Sequence, residues 1–140
     1  MDRIQAHLVR SSLEDFCLCG PALVSSVIRN LGDHYPDLRG LFPDDTSRYH
    51  VRWFATLQQV ARFCDTFHRL EKPLGELGKQ AAACGATAAH YRIVRNELLQ
   101  AMADLAGDAW TADTANSWSL VLDAMTGAML AGAMDIRRAA

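Results

Sequence analysis

No apolar stretch in this 140-residue chain approaches the about 18 uncharged residues of a membrane span, so no membrane partner is expected. Met1-Asp2-Arg3-Ile4-Gln5-Ala6-His7 lacks a basic start followed by an apolar run, so no secretory leader is expected. Convincing period-2 alternation is missing, as are Asn-Gly and Asp-Gly hairpin pairs, which argues against strands. There is no strongly basic patch and the net charge is −2, which speaks against a nucleic-acid partner. Glycine-rich phosphate loops, serine nucleophile elbows and His-Glu zinc motifs are also missing. The four cysteines, Cys17, Cys19, Cys64 and Cys84, include no C-x₂-C pair. They read as structural thiols of a cytoplasmic protein.

Half of the residues are apolar and 21% are charged, the profile of one globular domain over 1–140 with a sizeable core. The periodicity is helical throughout. Residues 3–18 carry Ile4, Leu8, Leu13 and Phe16 on one face. Gly20-Pro21 separates this helix from the next, where Leu23, Val24, Val27, Ile28 and Leu31 form the stripe as far as Tyr35. Pro36 opens a short turn, and Asp45 or Thr46 can cap a long helix over 46–69. Its inner face is Val51, Phe54, Leu57, Val60, Ala61 and Cys64, with Trp53 and Phe67 beside it. Pro73 opens a weaker helix over 74–83, which Gly85 stops. Thr87 caps a helix with Ile93, Val94, Leu98, Leu99, Met102 and Leu105, ended by Gly107. Thr111 caps the last helix, to about 136, with Trp118, Val121, Leu122, Met125, Met129 and Met134 facing in. The expectation is an all-α domain of six main helices plus short corner turns.

The stretch Leu77-Gly78-Lys79-Gln80-Ala81-Ala82-Ala83-Cys84-Gly85 is unusual, because other apolar segments use large side chains. Its meaning depends on its surroundings. "CGPALVSSVIRNLGDHYPDLRGLFPDD", with its Phe42, and "HYRIVRNELLQAMADLAGDAWTADTANSWSLVLDAM", with Tyr91, Leu98-Leu99, Trp110-Thr111 and Trp118, resemble the globin family. The resemblance is to bacterial single-domain globins and the globin domain of flavohaemoglobins, and it runs over nearly the whole chain. It implies the globin fold and a haem b cofactor bound between the long helix and the weaker one after it, with dioxygen or another gas as ligand. No reductase segment lies in these residues, so flavin and nicotinamide chemistry is not implied.

In that family the proximal histidine stands ten residues before the tyrosine matched by Tyr91, which here is Ala81. The distal positions also depart from the family. Tyr49, seven residues after Phe42, stands where relatives often carry glutamine; His50 is its neighbour; Trp53 replaces a usual leucine; and Ile28 stands where many relatives carry a tyrosine. Alanine has no lone pair for iron. Substitute ligands are Tyr49 or His50 on the distal helix, as the metal-binding candidates, and Cys84, about 60° round the helix from Ala81. His90 reads as a polar neighbour of Tyr91, and His7, His34 and His68 as surface residues. Trp53 and Phe54, opposite Ala81, Ala82 and Ala83, could instead fill the haem's space while the two helices draw together.

Two readings follow. One is a haem-free or degenerate globin, not an enzyme, acting as a regulatory or interaction module with a small apolar ligand. The other is a haem-binding gas sensor or dioxygen-binding globin with ligation through Tyr49, His50 or Cys84. The resemblance also admits a homodimer through residues 87–138.

Overall fold

A computed structural model of the chain describes residues 1–16, 20–41 and 47–139. Its order is α1 (Arg3–Phe16), α2 (Gly20–His34), a 3-10 segment (Pro36–Leu41), α3 (Ser47–Arg62), a 3-10 segment (Phe67–Leu70), α4 (Glu71–Ala83), α5 (Ala88–Ala106), a 3-10 turn (Gly107–Ala109) and α6 (Ala112–Ala139). The six expected helices are present, and no strand occurs among the described residues. None of these helices alone is long and apolar enough to cross a membrane. The expected caps at Asp45 and Thr46, and the thiols Cys17 and Cys19, lie outside the described residues.

Trp118 of α6 sits at the centre, fully buried among Phe16, Leu31, Leu98, Met102 and Leu122. Its indole N–H donates to Ser12 Oγ at 2.8 Å, tying α6 to α1 and meeting the requirement that a buried donor be satisfied. The helix ends follow the local chemistry. Thr87 Oγ1 accepts from the His90 N–H at 3.4 Å, while the Thr87 N–H donates to His90 Nδ1 at 3.0 Å. This reciprocal pair is a capping box with histidine in the usual Glu/Gln place. Thr111 Oγ1 accepts from the Thr114 N–H at the start of α6. Gly85 and Gly107 take positive φ at 96° and 56°, where a side chain would be strained.

Three expectations need correction. The long helix over 46–69 is not continuous: α3 stops at Arg62, and the chain tightens through Thr66 N–H to Phe63 O and Arg69 N–H to Thr66 O. Arg10 of α1 supports the break, donating to the Arg62 carbonyl at 2.7 Å and to Asp65 Oδ1 at 2.6 Å. The fourth helix begins at Glu71 rather than after Pro73, which sits in the first turn where its missing N–H costs nothing. Finally, several stripes are misjudged at their ends. Ile4 is 73% exposed because α1 buries Ala6, Val9, Leu13 and Phe16 instead, a spacing of three, four and three that leaves Ile4 on the far side. Val51, Leu105 and Met134 are exposed too, each where a stripe runs past the elements that cover it.

Candidate functional site

The odd alanine stretch is the last turn of α4, and the backbone explains how it is held. The Gly85 N–H donates to Ala82 O, and the Ala86 N–H reaches back to Ala81 O, both at 3.0 Å. With Gly85 at positive φ, this is a Schellman motif in which Ala81 is the third residue from the end. The main chain at Ala81 is therefore fixed at both sides, by helix before it and by the motif after it. Ala81 is half-buried, on the same face as Leu74 and Leu77. Leu74 is in the core and Leu77 packs against it.

What anchors α4 is α6. A methyl group added at Gly78 would stand 2.8 Å from Met129 Cα and closer still to the Met129 carbonyl group. Gly132 of α6 lies equally tight against the main chain of Gly75. The two helices thus meet backbone to backbone, an approach open only to glycine. By contrast, α3 packs on α2 and α1, and α3 and α4 are not a closely packed pair among the described residues. The expected drawing together of α3 and α4 through the alanines is therefore not what the fold does. The close approach belongs to Gly75, Gly78 and Gly132 and is directed at α6. Sequence reasoning missed these glycines; the signal was Gly75-x-x-Gly78 within an otherwise helical run.

The remaining site positions distribute as follows. Ile28 of α2 and Trp53 of α3 are partly buried and packed against the core. Tyr91 in the first turn of α5 is half-buried, with its hydroxyl oxygen enclosed. His50, in the first turn of α3 and three residues before Trp53, is half-buried. Tyr49 adjoins it on α3, with its side chain outside those described, and Phe42 lies outside the described residues. Cys84 is a free thiol exposed at the C-cap of α4. His90 is engaged through Nδ1 in the α5 cap. His7 and His68 are exposed, as is His34, which lies 3.6 Å from Glu97.

These placements test the site against haem. Under the register that the resemblance implies, an iron held from α4 would need a lone pair at Ala81, and a methyl group supplies none. The neighbouring donors are spoken for or turned outward: His90 caps a helix, and Cys84 is exposed. No three His, Cys, Asp or Glu side chains converge to hold a metal ion among the described residues. The other described thiol, Cys64, is buried beside the Arg10–Asp65 pair. Burial pushes its pKa up, which keeps it a thiol rather than a nucleophilic thiolate. At the end of α4, then, Ala81 carries no donor atom, Cys84 is exposed and His90 Nδ1 is engaged in the α5 cap.

The helix order and the α4–α5 corner are those of a globin, and comparison with known proteins bears this out. The globin family model matches residues 26–129. The chain belongs to the globin family. It is 24% identical over 116 residues to the flavohemoprotein of Vibrio cholerae, a match covering 81% of this chain and 29% of that protein. The chain thus spans under a third of the length of that relative. Among solved structures, an engineered carbene transferase from Rhodothermus marinus superposes with a TM-score of 0.88 at 22% identity, covering 99% of this chain and 97% of the other. The flavohemoglobin of Malassezia yamatoensis, solved with bound FAD and haem, gives a TM-score of 0.80 at 20% identity, covering 96% of this chain and 37% of that one.

Proposed function

We infer that this chain is a globin that has kept its frame and given up iron ligation from α4, and that it works as a haem-free regulatory or interaction module. One observation carries the reading: Ala81, ten residues before Tyr91, sits on an ordered, well-capped turn of helix, on the core-facing side, with no donor atom. The Schellman motif gives Ala81 an ordered main chain. The natural ligand of such a module is a small apolar molecule. The chain acts as a single domain in the cytoplasm and is not an enzyme in its own right.

The experiment is direct. The protein is produced with haem supplied, passed through gel filtration, and its visible spectrum recorded. The expected result is protein free of a Soret band. A sharp band travelling with the protein overturns the haem-free reading.

A second reading has one observation in its favour. Because α4 is held by α6 rather than folded onto α3, a flat group could enter between α3 and α4, and half-buried His50 stands on the α3 side. Under this reading the chain is a haem-binding gas sensor ligated from the distal helix by His50 or Tyr49. It requires that His50→Ala or Tyr49→Phe change the spectrum of any haem complex, with Cys84→Ser leaving it as it is.

A further inference from the structure

The corner between α4 and α5 is short, and its backbone is held amide by amide. The Gly85 N–H donates to Ala82 O and the Ala86 N–H to Ala81 O, both at 3.0 Å. The next amide turns to the other helix: the Thr87 N–H donates to His90 Nδ1, also at 3.0 Å. The first two acceptors are carbonyls, which do not titrate. The third is an imidazole, and it is the titratable member of this run of three.

A ring nitrogen accepts a hydrogen bond only through its lone pair, so His90 is neutral in this arrangement, with its proton on Nε2. A second proton goes to Nδ1 and sets one donor against another. The return bond of the cap does not make up the loss. The His90 N–H reaches Thr87 Oγ1 only at 3.4 Å, long for a hydrogen bond. Protonation therefore removes the shorter of the two bonds that close the first turn of α5.

The surroundings also oppose the cation. His90 stands at the positive end of the α5 dipole, that first turn has no acid, and Arg92 follows two residues on. Among the described residues no carboxylate lies within ion-pair distance of His90, and those on the elements around α5 face other groups. Glu97 of α5 faces His34, Asp33 of α2 faces Arg39, Asp123 of α6 faces Arg95, Glu76 of α4 faces Lys79, and Asp65 faces Arg10 of α1. Asp104 and Asp108 lie towards the opposite end of α5, and α6 has no charged residue over 124–134. Arg29 of α2 and the Cys84 thiol at the end of α4 offer no negative charge at acid pH.

His34 responds the other way. It ends α2, where a positive charge suits the dipole, and its Nδ1 lies 3.6 Å from Glu97 in the body of α5. A proton on His34 makes that contact an ion pair. Acid thus ties the body of α5 to α2 while undoing the cap at its start, so the release stays local.

We propose that His90 is a pH latch on the α4–α5 corner. Neutral, it closes the first turn of α5 on Thr87; protonated, it frees the chain from Thr87 to Tyr91 while the rest of α5 stays docked. The freed segment lies between Ala81 and Tyr91, the two positions that define the candidate site, and the latch works whether or not haem binds. Histidine is the side chain whose charge ordinarily changes between pH about 5 and 8, which sets the range to examine.

The test is NMR of the full chain without added haem at pH about 8 and about 5. Backbone carbon shifts report helix content residue by residue. At Ala88, Ala89 and Tyr91 they should move towards coil values in acid, with Leu98 and Met102 unchanged. His90→Gln keeps a side-chain acceptor at this capping position but does not titrate, so its shifts there should stay helical at both pH values. The other histidines are common to both proteins, so the difference isolates His90. In urea unfolding, the folding equilibrium constant of wild type relative to His90→Gln should fall about fivefold from alkaline to acid pH, the size of one lost cap bond. Wild-type shifts that stay helical in acid overturn the latch, as does the same acid change in His90→Gln or a loss of helix that reaches Leu98 and Met102 equally.

Discussion

Replacing Gly78 with alanine should destabilise the protein, although the same change elsewhere in a helix is favourable. The new methyl would lie 2.8 Å from Met129 Cα and nearer to its carbonyl carbon, against the ordinary about 3.5–4.0 Å for carbon contacts. The obstacle is main chain on α6, which cannot rotate away as a side chain could, so α4 must lift. Forcing an extra methyl into a packed interface costs about 1–3 kcal/mol, occasionally more. Against this, alanine gains about 1 kcal/mol over glycine in a helix interior. The overpacking term wins wherever it exceeds its lower limit, and contact with rigid backbone puts it at the upper end, for a net loss of about 2 kcal/mol. At about 2.1 cal/mol/K per residue the unfolding entropy of this chain is about 290 cal/mol/K, so Tm should fall by about 7 °C. The matched comparison is Gly127→Ala in dilute solution, where the added methyl meets nothing; there the propensity gain of about 1 kcal/mol should raise Tm by about 3 °C. Thermal unfolding of both variants followed by circular dichroism gives the two signs. If Gly78→Ala rises with Gly127→Ala, the backbone-to-backbone contact between α4 and α6 is refuted.

Trp118→Phe should cost about 2–4 kcal/mol in urea unfolding, since it removes buried volume and the hydrogen bond to Ser12 Oγ together; Ser12→Ala should cost less than half of that. The hydrogen bond from the Arg10 guanidinium holds the Asp65 carboxyl below the ordinary aspartate range, so its folded pKa is depressed. The stabilising contribution is then present above the unfolded pKa of about 3.9 and disappears as pH falls through the folded value. Wild type should exceed Asp65→Asn in stability at pH ~7 and converge with it in strong acid; the gap should be small, because the pair is substantially exposed. Thr87→Ala should lower stability by about 1 kcal/mol through loss of the α5 cap, and Thr87→Ser should restore most of it, both read from chemical denaturation.

Much of the fold was legible because its signals are local. Thr87 and Thr111 announce helix starts, Gly85 and Gly107 announce ends, and the 3.6-residue stripes name the core around Trp118. The misreadings share a cause: each depends on a neighbour distant in sequence. The break after Arg62 is supported by Arg10, which lies more than fifty residues earlier. Ile4, Val51 and Met134 have the right spacing or character for burial but no covering element at their helix ends. Gly75 and Gly78 look like weak helix residues until Met129 and Gly132 are brought against them. The proposed site rests on a different kind of signal. Nothing in composition marks Ala81, which is singled out only by the resemblance and its place ten residues before Tyr91. What the sequence could not provide is how firmly that position is held, because the Schellman bonds from Gly85 and Ala86 are statements of backbone geometry.

On the proposed reading the frame is complete at Ala81, and a donor atom is all the proximal position lacks. Ala81→His tests it most directly, with wild type and variant titrated side by side with haem and followed by visible absorption. The variant should acquire a Soret band that survives gel filtration, while wild type does not. A variant as blank as wild type would contradict the claim that only the donor is missing, and a wild type already ligated as strongly as the variant would contradict the claim that α4 has given up its iron.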